Sequence, residues 1–309
     1  MTSQQTHRIS HTRGIRSRDD RMVDAIAYFI GACVILITLY PLVYVISASF
    51  SDPVLVISGK ITLLPKGLTL DGYKRIFNYS LIWVGYRNTL IYASVGTIVN
   101  LCVTLPCAYA LSRRDFVGRN VLTAFIAFTM FFSGGLIPTY LVMRNLHLVN
   151  NPLIMVLLGA VSVWNTVIAR TFFQANIPLE LQEAAYLDGC STTQLFLQIV
   201  LPLAKPIIAV LSLFCAVGHW NSYFNALIYL SDTRLYPLQI FLRNILILDQ
   251  MDTLTFGDPD SMEFLLRMMQ LKESMKFGIV VVASVPVLVL YPFLQKYFVK
   301  GMLVGAIKG

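Results

Sequence analysis

The stretch that decides the fold is Ile177-Pro178-Leu179-Glu180-Leu181-Gln182-Glu183-Ala184-Ala185-Tyr186-Leu187-Asp188-Gly189, which continues through residues 190–201 into Pro202-Leu203-Ala204-Lys205-Pro206-Ile207. It is a polar-bearing segment caught between two strongly apolar ones. Pro178 suits the first position of a helix, Glu180 stands where the positive end of the helix dipole favours an acid, and Gly189 can supply a left-handed stop. These signals predict a helix of about three turns. Ser191 or Thr192 can cap a second helix carrying Leu195, Phe196, Ile199 and Val200, which Pro202 ends or kinks. On the first helix Leu181, Ala184 and Ala185 share a face, with Glu183 at its edge. A small apolar face beside a carboxylate suits docking into a partner's cleft that holds a cation; the plain alternative is a surface helix tying two membrane spans together.

Outward from this stretch, the flanking segments set the class. Of 309 residues, 56% are apolar and 13% charged, and the mean hydropathy is +0.68, well outside the soluble globular norm. The chain reads as an all-α, polytopic membrane protein. Upstream, spans are expected at about 153–173, 120–143, 86–111 and 22–50, the third interrupted by Gly134-Gly135 and Pro138; downstream, at about 206–230 and 277–298. Six spans put both termini on one side. Arg8, Arg13, Arg16, Arg18 and Arg21 crowd residues 1–21, a polar tail, while Arg113, Arg114 and Arg119 follow the second span and Lys296, Lys300 and Lys308 follow the last. The positive-inside rule makes that side the cytoplasm, and places residues 177–202 there too. Lys60, Lys66, Lys74, Arg75, Arg234, Arg243, Arg267 and Lys272 fall outside, in loops long enough to cross regardless of charge. The large outer loop, 231–275, holds an apolar patch at 238–248 and the acids Asp249, Asp252, Asp258, Asp260 and Glu263, which have no EF-hand spacing.

The absences narrow the function. The +8 formal charge is spent on topology rather than on a soluble basic face, so a nucleic-acid partner is not expected. Ser58-Gly59-Lys60-Ile61 lacks the glycine spacing and hydroxyl of a phosphate-binding loop, and neither G-x-S-x-G, H-E-x-x-H nor paired carboxylates within a span occur, which leaves an enzyme without residues to carry it. Five cysteines, Cys33, Cys102, Cys107, Cys190 and Cys215, show no metal-ligand spacing. An ion-coupled carrier would hold ionisable groups deep in its spans, and only His219 clearly does so. What the spans do hold is neutral hydrogen-bonding and aromatic chemistry, suited to a hydroxylated neutral solute: Trp220, Asn221, Tyr223 and Asn225 in the fifth, and Trp164 and Asn165 in the fourth, with Ser133 and Tyr140 in the third. Each of these can equally be an interfacial anchor or an interhelical hydrogen bond.

Glu183-Ala184-Ala185, followed by Gly189, Ile199 and Leu201-Pro202, resembles the EAA loop in the membrane subunits of ABC importers. Trp220-Asn221-Ser222-Tyr223-Phe224 and the tail from Tyr297-Phe298-Val299-Lys300-Gly301 to Gly305-Ala306-Ile307-Lys308-Gly309 resemble the sugar-importing branch, carbohydrate uptake family 1, of which the maltose permeases are the familiar example. Phe132-Ser133-Gly134-Gly135-Leu136-Ile137-Pro138-Thr139-Tyr140 and Tyr291-Pro292-Phe293-Leu294-Gln295-Lys296 are more similar to its LplC/YtcP-like permeases.

The resemblance implies a type I importer transmembrane fold over residues 22–309, importing an oligosaccharide. It makes residues 177–202 a coupling segment in which Glu183, Ala184, Ala185, Asp188 and Gly189 meet an ATPase. It implies a second, homologous permease, two ATPase subunits that bind ATP and Mg, an extracellular sugar-binding lipoprotein and surrounding lipid, in a bacterial plasma membrane. This chain itself would hold no cofactor. A permease for a non-sugar solute and a stand-alone secondary transporter are the alternatives.

Overall fold

The computed structural model describes residues 18–246, 270, 272, 273 and 275–292, with side chains from residue 21 onward. Among them there are helices and connections but no strand. Helix α1 (Arg18–Ser49) spans 32 residues with Pro41 inside it. Its side chains lie almost entirely outside the fold, and only its last turns, with Ser47, Ala48 and Ser49 buried, meet the rest of the chain. There Tyr73 Oη donates to Ser49 Oγ at 2.8 Å. Asp52 then caps the short α2 (Pro53–Ile57), its carboxylate accepting from Val54 N at 2.8 Å. After α3 (Asp71–Asn78) comes α4 (Ser80–Ser112), 33 residues long. It starts earlier than the expected second span because Ile82 is fully buried and Trp83 Nε1 donates to Phe77 O at 2.9 Å, holding the first turn in place.

Three of the other expected spans are interrupted. α5 (Arg119–Phe131) and α6 (Leu136–Asn145) bend by 111° across Phe132-Ser133-Gly134-Gly135. Gly135 takes φ 82°, which a β-carbon disfavours, and neither helix buries a residue against this chain. The run expected as one fourth span divides into α7 (Ile154–Leu157) and α8 (Val163–Asn176), with Gly159 at φ 90° between them. Next come α9 (Leu179–Leu187), the single turn α10 (Thr192–Gln194), a π-helical stretch (Leu195–Val200) and α11 (Leu201–Leu203), followed by an 80° bend into α12 (Lys205–Trp220). The expected fifth span breaks after Trp220 and resumes as α13 (Phe224–Tyr229).

Residues 231–246, expected to open a solvated loop, instead fold back as a 3-10 turn (Thr233–Leu235) and α14 (Leu238–Leu246), with Leu238, Ile240, Phe241 and Ile245 buried. Over its described residues, 238–246, the apolar patch is therefore core. The acids at 249–263 lie outside the described residues, as do the tail before residue 18 and the motif after residue 292. Among the described residues α1, α4 and the last helix, α15 (Met275–Pro292), are long and apolar enough to cross a membrane; counting the two bent pairs as spans makes five.

One face of α4 organises the packing. Asn88, Tyr92, Gly96, Asn100, Thr104 and Ala108 recur at every fourth residue and all are buried. α12 and α8 pack along this helix most extensively, then α14. Two glycines set the approach: a β-carbon at Gly85 would stand 2.8 Å from the Phe241 ring, and one at Gly96 would stand 2.4 Å from His219 Nε2.

Candidate coupling and translocation sites

The segment from 177 to 204 is built by local hydrogen bonds that its residue types dictate. α9 ends in a Schellman arrangement: Gly189 N donates to Tyr186 O at 3.0 Å and Cys190 N to Ala185 O at 2.9 Å, with Gly189 at φ 82°. Ser191 starts the next turn as a capping box, its Oγ accepting from Gln194 N at 3.3 Å and its N–H reaching Gln194 Oε1 at 2.9 Å. Between these stops α9 shows two faces. Glu180, Glu183, Ala184 and Leu187, spaced as one helical stripe, are exposed, Leu187 by 89%. Ala185 turns the other way and is 5% exposed, packed in a cluster with Leu105, Tyr109, Phe173 and Leu195. The shared face expected for Leu181, Ala184 and Ala185 is therefore divided, because adjacent helical residues lie about 100° apart. Asp188 and Gly189 are exposed just beyond the stripe. Among the described residues no ion pair engages Glu180 or Glu183.

The end of α4 lies against this segment. Arg170 Nε of α8 donates to Leu111 O at 3.0 Å, satisfying a carbonyl of the last turn. Arg113, which follows the helix, is clamped by Asp115. Its hydrogen bond to that carboxylate raises the guanidinium further above its ordinary range, and the same bond holds the Asp115 carboxyl below the usual carboxylate range.

Within the bundle, polar side chains satisfy backbone freed by the helix breaks. Asn88 Nδ2 donates to Arg234 O at 2.8 Å and Tyr236 O at 3.0 Å, Tyr92 Oη to Leu235 O at 2.9 Å, and Leu238 N to Thr89 Oγ1 at 2.8 Å. One side of α4 thus fastens the fold-back of residues 231–246. Deeper along the same face, Asn100 Nδ2 donates to both Gly159 O and Ala160 O at 2.8 Å, while its Oδ1 lies 2.7 Å from His219 Nε2. Non-helical backbone is tolerated at membrane depth only when protein or trapped water meets its polar groups, and Asn100 does so at the break between α7 and α8. His219, the one ionisable residue singled out in the spans, is here a hydrogen-bonding bridge between α12 and α4.

The residues expected along a solute path part company. Trp220 is 4% exposed, its indole N–H donates to Ala283 O at 3.1 Å, and its ring meets Tyr86 edge-on at 6.2 Å. In this arrangement it packs α12 against α15 and α4. Asn165 is also buried, with Nδ2 3.6 Å from Cys215 Sγ. Asn221 remains exposed at the break, Nδ2 donating to Val217 O at 3.0 Å, and Tyr223 and Trp164 are exposed, with Asn225 half-buried. Asn88 and Asn100 escaped the sequence reading, and Arg113 entered it only as a topology signal. The signal of the two asparagines is the four-residue spacing of polar and small residues along α4, which an average over apolar content does not register.

Residues 82–304 match the family described as the inner membrane component of binding-protein-dependent transport systems. The chain belongs to that family. It is a permease subunit of an ABC importer, a transport protein rather than an enzyme. The permease is 39% identical over 295 residues to the polygalacturonan/rhamnogalacturonan transport system permease protein YtcP of Bacillus subtilis (strain 168), an alignment covering 94% of this chain and 99% of that one. It is 40% identical over 273 residues to protein LplC of the same organism, covering 88% and 90%. Among solved structures it is similar to a chain from the crystal structure of a bacterial ABC transporter involved in the import of the acidic polysaccharide alginate, at a TM-score of 0.82 and 33% identity, covering 91% of this chain and 98% of that one.

Proposed function

We propose that this permease forms half of a translocation path for an oligosaccharide, driven by ATP bound with Mg on separate ATPase subunits. What carries this reading is its similarity, over 94% of this chain, to a permease named for polygalacturonan and rhamnogalacturonan transport, supported by the exposed Glu180 and Glu183 of α9, which no ion pair engages among the described residues. In this reading Glu183, Ala184 and Leu187 enter a groove of an ATPase subunit, Ala185 seats the helix on the permease, and Asp188 with Gly189 sets the angle at which it leaves. Two such permeases, two ATPases and an extracellular binding lipoprotein make the complex. Six spans cross the plasma membrane of a bacterium, the broken α7–α8 and α12–α13 runs each counting as one, with both termini in the cytoplasm. Asn221, Tyr223, Asn225 and Trp164 supply amide and aromatic contacts to sugar hydroxyls and rings, and the buried Trp220 and Asn165 hold their helices in position.

The test is uptake in proteoliposomes containing the whole complex and its loaded binding protein. Oligosaccharide uptake should require ATP inside the vesicle and should fall when Asn221→Leu or Tyr223→Ala is introduced. Uptake by the permease alone under an ion gradient would establish the secondary-transporter reading instead, and stimulation by a non-sugar solute would overturn the choice of cargo.

A further inference from the structure

One guanidinium joins the nine-residue helix α9 to the end of the 33-residue helix α4. The Arg113 side chain, only 12% exposed, lies between a tyrosine from each. Its central carbon is 5.9 Å from the Tyr109 ring centroid and 5.4 Å from that of Tyr186. Nη1 donates to Tyr186 Oη at 2.6 Å and stands 3.5 Å from Tyr109 Oη. Asp115 holds the opposite edge, with Nε donating to Oδ1 at 2.8 Å and Nη2 to Oδ2. The fork is therefore fixed by a carboxylate on one side and a phenol on the other, a geometry that a lysine cannot reproduce.

The surroundings extend this contact in two directions. Tyr109 stacks on Phe196 of the π-helical stretch at 5.2 Å and meets Phe173 of α8 edge-on at 5.7 Å, so the segments just after and just before α9 converge on the same ring. Along the membrane, α4 packs extensively on α12, α8 and α14 but not broadly on α9. Ala185 of α9, with Ile177 before the helix and Cys190 after it, also packs in an apolar cluster, and apolar contact has no direction. A charge-assisted hydrogen bond does. The Tyr186 ring is itself partly exposed, at 39%, but its hydroxyl is engaged within the permease, accepting from Arg113 at 2.6 Å and lying 3.4 Å from Thr192 Oγ1.

We propose that Arg113 is a positioning residue that makes α9 and α4 move as one body, passing a displacement of the docked helix through Tyr186 into α4 and from there to α8, α12 and α14. This rests on the docking of α9 proposed above. Two near-isosteric changes separate transmission from docking: Tyr186→Phe keeps the ring and removes the hydroxyl, and Arg113→Lys keeps the charge and removes the fork.

The experiment uses the complete complex in nanodiscs, with a photo-cross-linking residue at position 187 to report docking and binding-protein stimulation of ATP turnover to report transmission. Both variants should assemble and cross-link as the parent does. Stimulation should fall about tenfold in each, the scale of losing one charge-assisted hydrogen bond, and the double variant should fall no further than the worse single one. Parent-like stimulation in Tyr186→Phe overturns the proposal, as does a parallel loss of assembly, cross-linking and turnover, which would mean that the contact only stabilises the fold. If Arg113→Lys does not assemble, Tyr186→Phe decides alone, since it differs by one oxygen. A parent complex that the binding protein does not stimulate and that forms no cross-link at 187 overturns the docking of α9 itself.

Discussion

Replacing Asn100 by leucine tests whether the polar stripe on α4 holds the bundle together. Asn100 is 4% exposed, and the substitution removes two hydrogen bonds donated to Gly159 O and Ala160 O and the one shared with His219 Nε2. Interhelical hydrogen bonds in membrane proteins average about 0.6 kcal/mol and reach about 1.7, so three of them amount to roughly 2 to 5 kcal/mol. The upper half of that range applies here, because the two carbonyls lie at a helix break with no helical partner and the imidazole loses its side-chain partner. Leucine has the same number and branching of side-chain heavy atoms, which keeps a cavity from adding to the loss. The assay is equilibrium unfolding of the permease in mixed micelles, for Asn100→Leu, His219→Leu and the double variant. The double variant should be more stable than the sum of the singles by on the order of 1 kcal/mol, since each single strands the other's polar atom. A loss under about 0.5 kcal/mol for Asn100→Leu, the level of an inconsequential surface change, would refute the reasoning.

Gly96→Ala drives a β-carbon to within 2.4 Å of His219 Nε2 and should cost about 1–3 kcal/mol by the same assay, whereas Gly218→Ala, with nothing within 4 Å, should stay within about 0.5. Leu187→Asp, at a site 89% exposed, should leave folding intact and abolish stimulated ATP turnover; Ala185→Trp, at a buried site, should instead lower the yield of folded permease on size-exclusion chromatography. Gly189→Val forces a β-branched residue to φ 82° and should cost about 1–2 kcal/mol, seen as reduced cross-linking of α9 to the ATPase. Arg113 depresses the Asp115 carboxyl, so the pair's contribution is complete above the unfolded value of about 3.9 and is lost as pH falls through the lower folded one. Stimulated turnover should therefore show no transition from this pair between about pH 5 and 8, and Asp115→Asn should lower it throughout that window.

What was legible in the sequence was what short-range chemistry controls. Gly189 and Ser191 terminate and restart helices as their residue types demand, and Gly134-Gly135 with Pro138 breaks the third apolar run. The break at Gly159 was not legible, since apolar residues on both sides keep the hydropathy continuous and the stabilising amide comes from Asn100, 59 residues away. Trp220 shows the same limit. Its neighbours in sequence suggested a polar lining, but its surroundings are set by Ala283 and Tyr86, on helices far away in the chain. Likewise Ala184 and Ala185 look alike as letters, and only the packing of α9 decides which one turns inward. The fold-back of residues 231–246 depends on Asn88, Thr89 and Tyr92 meeting a distant backbone, a pairing that local periodicity cannot express.

The π-helical stretch Leu195–Val200 carries a consequence for chain length. Leu195 and Val200 are five residues apart and both fully buried, whereas five α-helical steps of about 100° would leave them some 140° apart. The wider turn brings both to one side by holding an extra residue. Deleting one residue between them would leave the hydropathy profile nearly untouched, and an α-helix would form readily in its place. It would nevertheless turn everything from Leu201 to the bend at Ala204 by roughly a quarter revolution against the core, so a permease that still inserts and still looks complete by length would present the wrong side of α12 to α4.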